Sequence, residues 1–400
     1  MRARYRGCWL EGLTAAVCNL VAEDIARQSV QMTGPKRNFL ALVALCLFHV
    51  PVSALACDAS EAVCVWANRI VGIKTPNMIA SGTMIADGFI VTNRHVAEDH
   101  AQVMTRDIKG RFRSATPLAH NFAADLVILR METADGVPDN APAVADGKPQ
   151  ELHVVAFDQG RNGPRVYAAG DFAIYPATDA SSRARIHTNA RALPGNSGGA
   201  VVDSDGRLVG ILASGDGKIS ELVPAAHIES VLQSTNPLHD GEFLETGTAI
   251  RLCADALYDA SAINRDPPEQ LVSVIESECL ASNNRQLFDQ AGQTFGRWWM
   301  FEQSKAFLQR SLTLDPQSPN TLMSMAVTLH LNRETEAERP ILERYLAINP
   351  ANPQALRMAI QVAGVLQDRT FADNVLEMMR AYNPAAVPLA ESFIKDAFGG

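Results

Sequence analysis

Leu-Pro-Gly-Asn-Ser-Gly-Gly-Ala, residues 193–200, sets a serine between glycines, and Thr-Asn-Arg-His-Val, residues 92–96, ends an apolar run with a histidine. A hydroxyl is a poor nucleophile at neutral pH and needs an adjacent base held in one tautomer. His95 is the candidate base for Ser197. Asp125, in Ala-Ala-Asp-Leu-Val-Ile-Leu, opens an apolar run where a buried carboxylate can orient an imidazole. Glycine flanking allows a tight turn that aims successive N–H groups at one spot, as a developing oxyanion requires. The amides of Gly195 and Ser197 are the natural donors. The chemistry implied is acyl transfer by a Ser-His-Asp set, which needs no metal and no cofactor. Each member alone has a plainer reading as a loop serine, a structural histidine or a strand-start aspartate. Their order and their local phrases together carry the stronger one.

These residues must be positioned by strands. Residues 81–93 read as two short apolar strands around Asp87-Gly88, a hairpin signal, and 198–214 repeat the device around Asp205-Gly206. Further apolar runs lie at 125–129 and 152–156. Many short strands with turn signals over 66–235 favour a barrel or sandwich, closed by a helix from Pro224 to Leu232.

The order His95, Asp125, Ser197 matches chymotrypsin-fold serine proteases. The phrases around the three residues resemble those of the bacterial HtrA/Deg-like branch. The resemblance covers about residues 66–235 and implies a chymotrypsin-like double β-barrel with its site between the barrels. It also implies a specificity pocket walled by Leu212–Ser214 and Ser220–Leu222, suited to small or medium apolar side chains. Where trypsin-like cleavage wants a carboxylate, this chain has Arg191; turned inward, it would favour an acidic side chain instead. Arg69-Ile70-Val71-Gly72 looks like a zymogen activation site. The aspartate that would receive the new amino terminus is replaced by Asn196, so Ile70–Ile73 is read as the first barrel strand. His187 and His227 read as solvent-facing or structural.

No PDZ domain follows. Asp315-Pro316, Asn349-Pro350 and Asn383-Pro384 recur every 34 residues, the tetratricopeptide period of paired helices ending at proline. The register places Gly292 and Phe295, then Ala326 and Leu329, then Ile360 and Ala363, at the packed helix positions, with a last helix over Leu389–Phe398. Helical spacing over 248–263 and 267–282 gives a connector hairpin. The expected architecture is multidomain β + α: a protease domain over 66–235, a helical connector over 236–284, and an α-helical tetratricopeptide-like solenoid over 285–400.

Net charge is −9. Beyond residue 56 the chain has 29 Lys/Arg against 41 Asp/Glu, so it lacks the basic footprint of a nucleic-acid binder. The expected partners are a polypeptide substrate and a protein on the repeat domain, with no nucleic acid and no membrane span. Lys36-Arg37, the apolar run Phe39–Val50 and Ala54-Leu55-Ala56 form an export signal over 32–56. Residues 1–31 place acidic groups ahead of that basic pair and read as an upstream extension, with translation starting at Met32. Cys57, Cys64, Cys253 and Cys279 remain after the signal, an even count that suits an oxidising, periplasmic or extracellular compartment. Three pairings are possible; the local one, Cys57–Cys64 with Cys253–Cys279, is the expectation, and lipidation of Cys57 is its rival. Two other functions compete with an endopeptidase: a noncatalytic scaffold acting through its repeats, and an esterase using the same triad. Intact mass of the precursor tests the start: a product lacking residues 1–31 is expected, and one containing them refutes Met32 initiation.

Overall fold

Alternating apolar residues between glycine-marked turns produce two antiparallel β units in the computed structural model, which describes residues 57–131, 141–215 and 217–399. The expected signal segment 32–56 and the upstream extension 1–31 lie outside the described residues. The first unit holds β1 (Ile70–Lys74), β2 (Ile79–Ala86), β3 (Phe89–Thr92), β4 (Val103–Arg106), β5 (Phe112–Pro117) and β6 (Val127–Met131). They close into a barrel in the order β1-β2-β3-β6-β5-β4. The second unit holds β7 (Leu152–Asp158), β8 (Gly163–Val166), β9 (Ala173–Ile174), β10 (Ile186–Thr188), β11 (Ala200–Asp203), β12 (Leu208–Gly215) and β13 (Ser220–Pro224). These form a seven-stranded sheet in the order β8-β7-β11-β12-β13-β10-β9.

A shared core joins the two units: Ile70, Val91, Leu126 and Ile128 of the first pack with Val155, Val202, Ile211 and Val223 of the second. This is the chymotrypsin-like arrangement, and both hairpins fall where the Asp-Gly signals put them. One boundary moves. The closing helix is His227–Gln233, not Pro224–Leu232, because β13 continues through Pro224. Proline is tolerated there, at a strand end.

A helical region follows. The connector's first helix begins earlier than its spacing suggests, at Asp240, with Asp240 and Glu242 in its positive first turn. It ends at Ala260, before the Pro267-Pro268 break, and its partner runs Glu269–Ser282. Three helical pairs come next. Their first helices start at Arg285, Pro319 and Pro353 and their second helices at Phe301, Thr335 and Arg369, so each start recurs after 34 residues. The six register positions named from the sequence are all buried. The final helix is Val387–Ala397.

Both local disulfides are present, Cys57–Cys64 and Cys253–Cys279. The second joins the two connector helices across 26 residues. Constraining the unfolded chain over a loop of that size contributes about 3 kcal/mol. The Cys253→Ala/Cys279→Ala double variant should lose about that much stability in urea unfolding. An unchanged midpoint would mean that packing alone holds the hairpin.

Candidate active site

β3 ends at Thr92, and a single helical turn, Arg94–Ala97, carries His95 outward from the barrel. Asp125 sits just before β6, the strand paired with β3, so barrel closure brings both residues to one end. The His95 backbone N–H donates to Asp125 Oδ1 at 3.0 Å, and its Nδ1 lies 2.8 Å from Asp125 Oδ2. Asn93 donates to the Asp125 carbonyl at 3.0 Å, fixing the backbone as well.

Two further donors reach the carboxylate from far along the chain. Arg185 Nη2 lies 3.2 Å from Oδ2, and Asn284 Nδ2 lies 3.3 Å from Oδ1. Asn284 is the N-cap of helix Arg285–Arg297, its Oδ1 accepting from the Gln286 and Leu287 amides, so capping itself aims the Nδ2 at Asp125. Asp125 is 6% exposed. Burial alone pushes its carboxyl up; the neighbouring His95 and the Arg185 charge, with the hydrogen bonds, outweigh that and hold it at about 2.

The loop bearing Ser197 has its own scaffold. Leu193-Pro194-Gly195-Asn196 forms a turn closed by Asn196 N–H donating to the Leu193 carbonyl at 3.0 Å. Proline second and glycine third at φ 90° make it type II. Buried Asn196 locks the turn, accepting from Leu193 N–H at 2.7 Å and donating to the Phe157 carbonyl at 3.0 Å. Gly198 permits the closest approach: a Cβ there would lie 1.9 Å from the Ser81 carbonyl oxygen. Ser81 N–H donates to the Ser197 carbonyl at 2.8 Å, and Thr83 Oγ1 to that of Gly198 at 2.9 Å. Thus the Ser197 loop is tied to the strands that lead to His95.

The amides of Gly195 and Ser197 have no acceptor among the described residues, whereas those of Asn196, Gly198 and Gly199 are taken by backbone carbonyls. The Ser197 hydroxyl donates to the Ala213 carbonyl at 2.9 Å, and no hydrogen bond joins it to His95. Arg191 is exposed, and Leu212, Ala213, Ser220 and Leu222 are buried. Glu221 faces away into a charged interface, bonded to Arg285 and, at 2.8 Å, to Ser214. His187 is fully buried, so it is structural and not solvent-facing: its Nε2 lies 2.9 Å from Asp315 Oδ2. His227 is half-buried against Phe122.

Arg185 and Asn284 escaped the sequence reading. Arg183, Arg185 and His187 alternate with Ala184 and Ile186, a pattern that signals a polar strand face but not that helices cover it.

Residues 80–211 match the family described as Trypsin-like peptidase domain, a span that includes His95, Asp125 and Ser197. A probable periplasmic DegP-like serine endoprotease of Chlamydia pneumoniae is 29% identical over 149 residues, covering 33% of this chain and 28% of its own. The serine endoprotease DegS of Escherichia coli is 30% identical over 135 residues, covering 31% of this chain and 36% of its own. The crystal structure of a serine endoprotease from Yersinia pestis matches 43% of this chain and 64% of that chain at 23% identity, with a TM-score of 0.36. The chain therefore spans well under half the length of the curated relatives it matches, from 28 to 43% for the first three. The β part of the chain is similar to a trypsin-like peptidase domain over residues 80–211. The relatives it is similar to are DegP- and DegS-like serine endoproteases, and the family match ends at residue 211, before the helical region.

The Asp125 geometry has a consequence for pH. A carboxyl held at about 2 in the fold and 3.8 in the free chain contributes stability that is present above about pH 4 and lost as pH falls towards 2. In Asp125→Asn, the acid side of the stability profile should flatten across that window, as read by urea unfolding at stepped pH. An identical slope in wild type and variant would show that Asp125 is not the titrating group.

Proposed function

We propose that the chain is an exported serine endopeptidase. Ser197 attacks the peptide carbonyl; His95 takes its proton and then delivers it to the leaving amine. Asp125 holds His95 in one tautomer and favours its imidazolium form, while the Gly195 and Ser197 amides receive the oxyanion. The observation that carries this reading is partly exposed His95 held 2.8 Å from buried Asp125, with the Ser197 loop pinned to strands of the same barrel. Attack requires the Ser197 hydroxyl to leave Ala213 for His95, a tightening that resting active sites commonly need. One relative described as periplasmic, two disulfides and the apolar run before Cys57 support export. Among the described residues, no helix is long and apolar enough to cross a membrane.

Within this reading, 66–235 is the catalytic domain, 236–284 a connector and 285–400 a tetratricopeptide-like module that handles polypeptide. A groove of about 470 Å³ supports the last assignment. It runs from Ser214 and Gly215 of β12 to Gln290, Gln293, Asn320 and Met323 on the helices. Ala213, the residue that holds the Ser197 hydroxyl, directly precedes it on β12. A substrate strand added antiparallel beside β12 would thus pass from the nucleophile into the groove within a few residues. The second reading, a protease-fold scaffold acting through its repeats, draws on the same Ser197–Ala213 bond, which leaves the serine unengaged with its base.

Fluorophosphonate labelling of the oxidised protein decides between them. Labelling that is lost in Ser197→Ala and falls at least about a hundredfold in rate in His95→Ala is expected for a serine activated by a general base. Well-folded protein that resists the probe would favour the scaffold. Casein hydrolysis beside a small ester then separates endopeptidase from esterase.

A further inference from the structure

Beside Asp125 lies a cavity of about 130 Å³ whose lining does not include His95. Its walls come from the Arg94 turn, residues 120–125, the Arg183–Arg185 segment, helix Asp240–Ala260 and the N-terminus of helix Arg285–Arg297. That volume is several times what one water needs. Four guanidinium side chains line it, those of Arg94, Arg183, Arg185 and Arg285. Arg285 is turned to two carboxylates outside the cavity, Glu221 and Asp289.

The other three are hydrogen-bonded less completely on the cavity side. Arg94 is 6% exposed and donates only to the backbone carbonyls of Glu98 and Phe243. Arg183 gives its Nε to the Asn283 carbonyl at 3.2 Å. Arg185, 2% exposed, spends Nη2 on Asp125, and its Nε and Nη1 have no partner. Buried donors left unpaired are costly, and more so when they carry charge. Burial accordingly pulls Arg94 down to about 10 and lowers Arg183 and Arg185 as well. The thirteen-residue helix that starts at the cavity adds its positive end. Two carboxylates line the cavity with them, Asp125, already committed to His95, and Glu242, exposed on its wall; Glu98 and Asp99 act on Arg94, and Glu221 and Asp315 on Arg185, from outside the lining.

We propose that this cavity is a binding site for a small oxyanion, a phosphate or a carboxylate, held by Arg183 and the unpartnered Arg185 nitrogens. Planar guanidinium forks suit that chemistry, since two N–H groups can meet two oxygens. Arg94 supplies fixed positive charge from the barrel side. The site shares Arg185 with Asp125, which ties any ligand to the carboxylate that orients His95.

Isothermal titration of the full, oxidised chain with inorganic phosphate tests this, with acetate as a second arm and chloride at equal ionic strength as control. Saturable one-site binding of phosphate or acetate above the chloride control is expected, the better arm identifying the preferred oxyanion. Arg183→Gln should weaken it about tenfold, the scale of one charge-assisted contact. Arg183 is half-buried with a single backbone bond, so its loss leaves the core intact. Glu242→Gln, by removing the exposed carboxylate, should tighten binding instead. Opposite responses of the two variants cannot come from unfolding. Heats equal to the chloride control, or affinity indifferent to both substitutions, overturn the proposal.

Discussion

A carboxylate buried at the junction of three chain segments is the constraint on which the rest of this fold depends. Asp125 is taken out of water, and an ionised carboxylate there is tolerated only if its lone pairs are filled. The turn after β3 supplies two donors from His95, the segment entering β10 supplies Arg185, and the cap of a helix beyond the connector supplies Asn284. The barrel, the second sheet and the helical region each contribute, so none can shift without uncovering the charge.

The same logic extends outward from Arg185. Its backbone N–H donates to Asp315 at 3.2 Å, Asp315 pairs with His187, and Arg285 bonds Glu221 and Asp289. On the connector side, Arg251 grips Asp99 at 2.8 Å, and Arg94 stacks over the Phe243 ring at 3.7 Å. The buried pairs among these, His187 with Asp315 and Arg285 with Glu221 and Asp289, contribute little net stability, because desolvation offsets most of the attraction. What they fix is geometry. A helical region docked by apolar contacts alone could slide; one docked by buried, directional charges has a single register against β10 and β13.

That division explains what the sequence could and could not disclose. Hairpins at Asp87-Gly88 and Asp205-Gly206, the 34-residue helix period and the local disulfides are short-range or periodic signals, and each appears where its residues stand. The local phrases single out His95, Asp125 and Ser197, and of these the structure joins His95 to Asp125. Arg185 and Asn284 carry no such phrase, since their partner lies 60 and 159 residues away and is met only after the helices dock. His187 and Glu221, opposite each other on β10 and β13, have the polar character of a wetted strand face. Only the packed helices turn that face into an interior.

The two halves of the site are consequently held in different ways. The His95–Asp125 half is locked by donors that reach one buried carboxylate from three directions. The Ser197 half is a type II turn whose glycines leave two amides free, and its one unsettled group is the hydroxyl. Moving that hydroxyl from the Ala213 carbonyl to His95 exchanges one hydrogen bond for another, a difference of about 1 kcal/mol in either direction. On the proposed reading, the Gly195 and Ser197 amides would be the oxyanion donors and His95 the base. Under the proposed mechanism, a substrate strand entering beside Ala213 would compete for that carbonyl's neighbourhood and shift the hydroxyl by a small differential affinity, which is all that an equilibrium so nearly balanced requires.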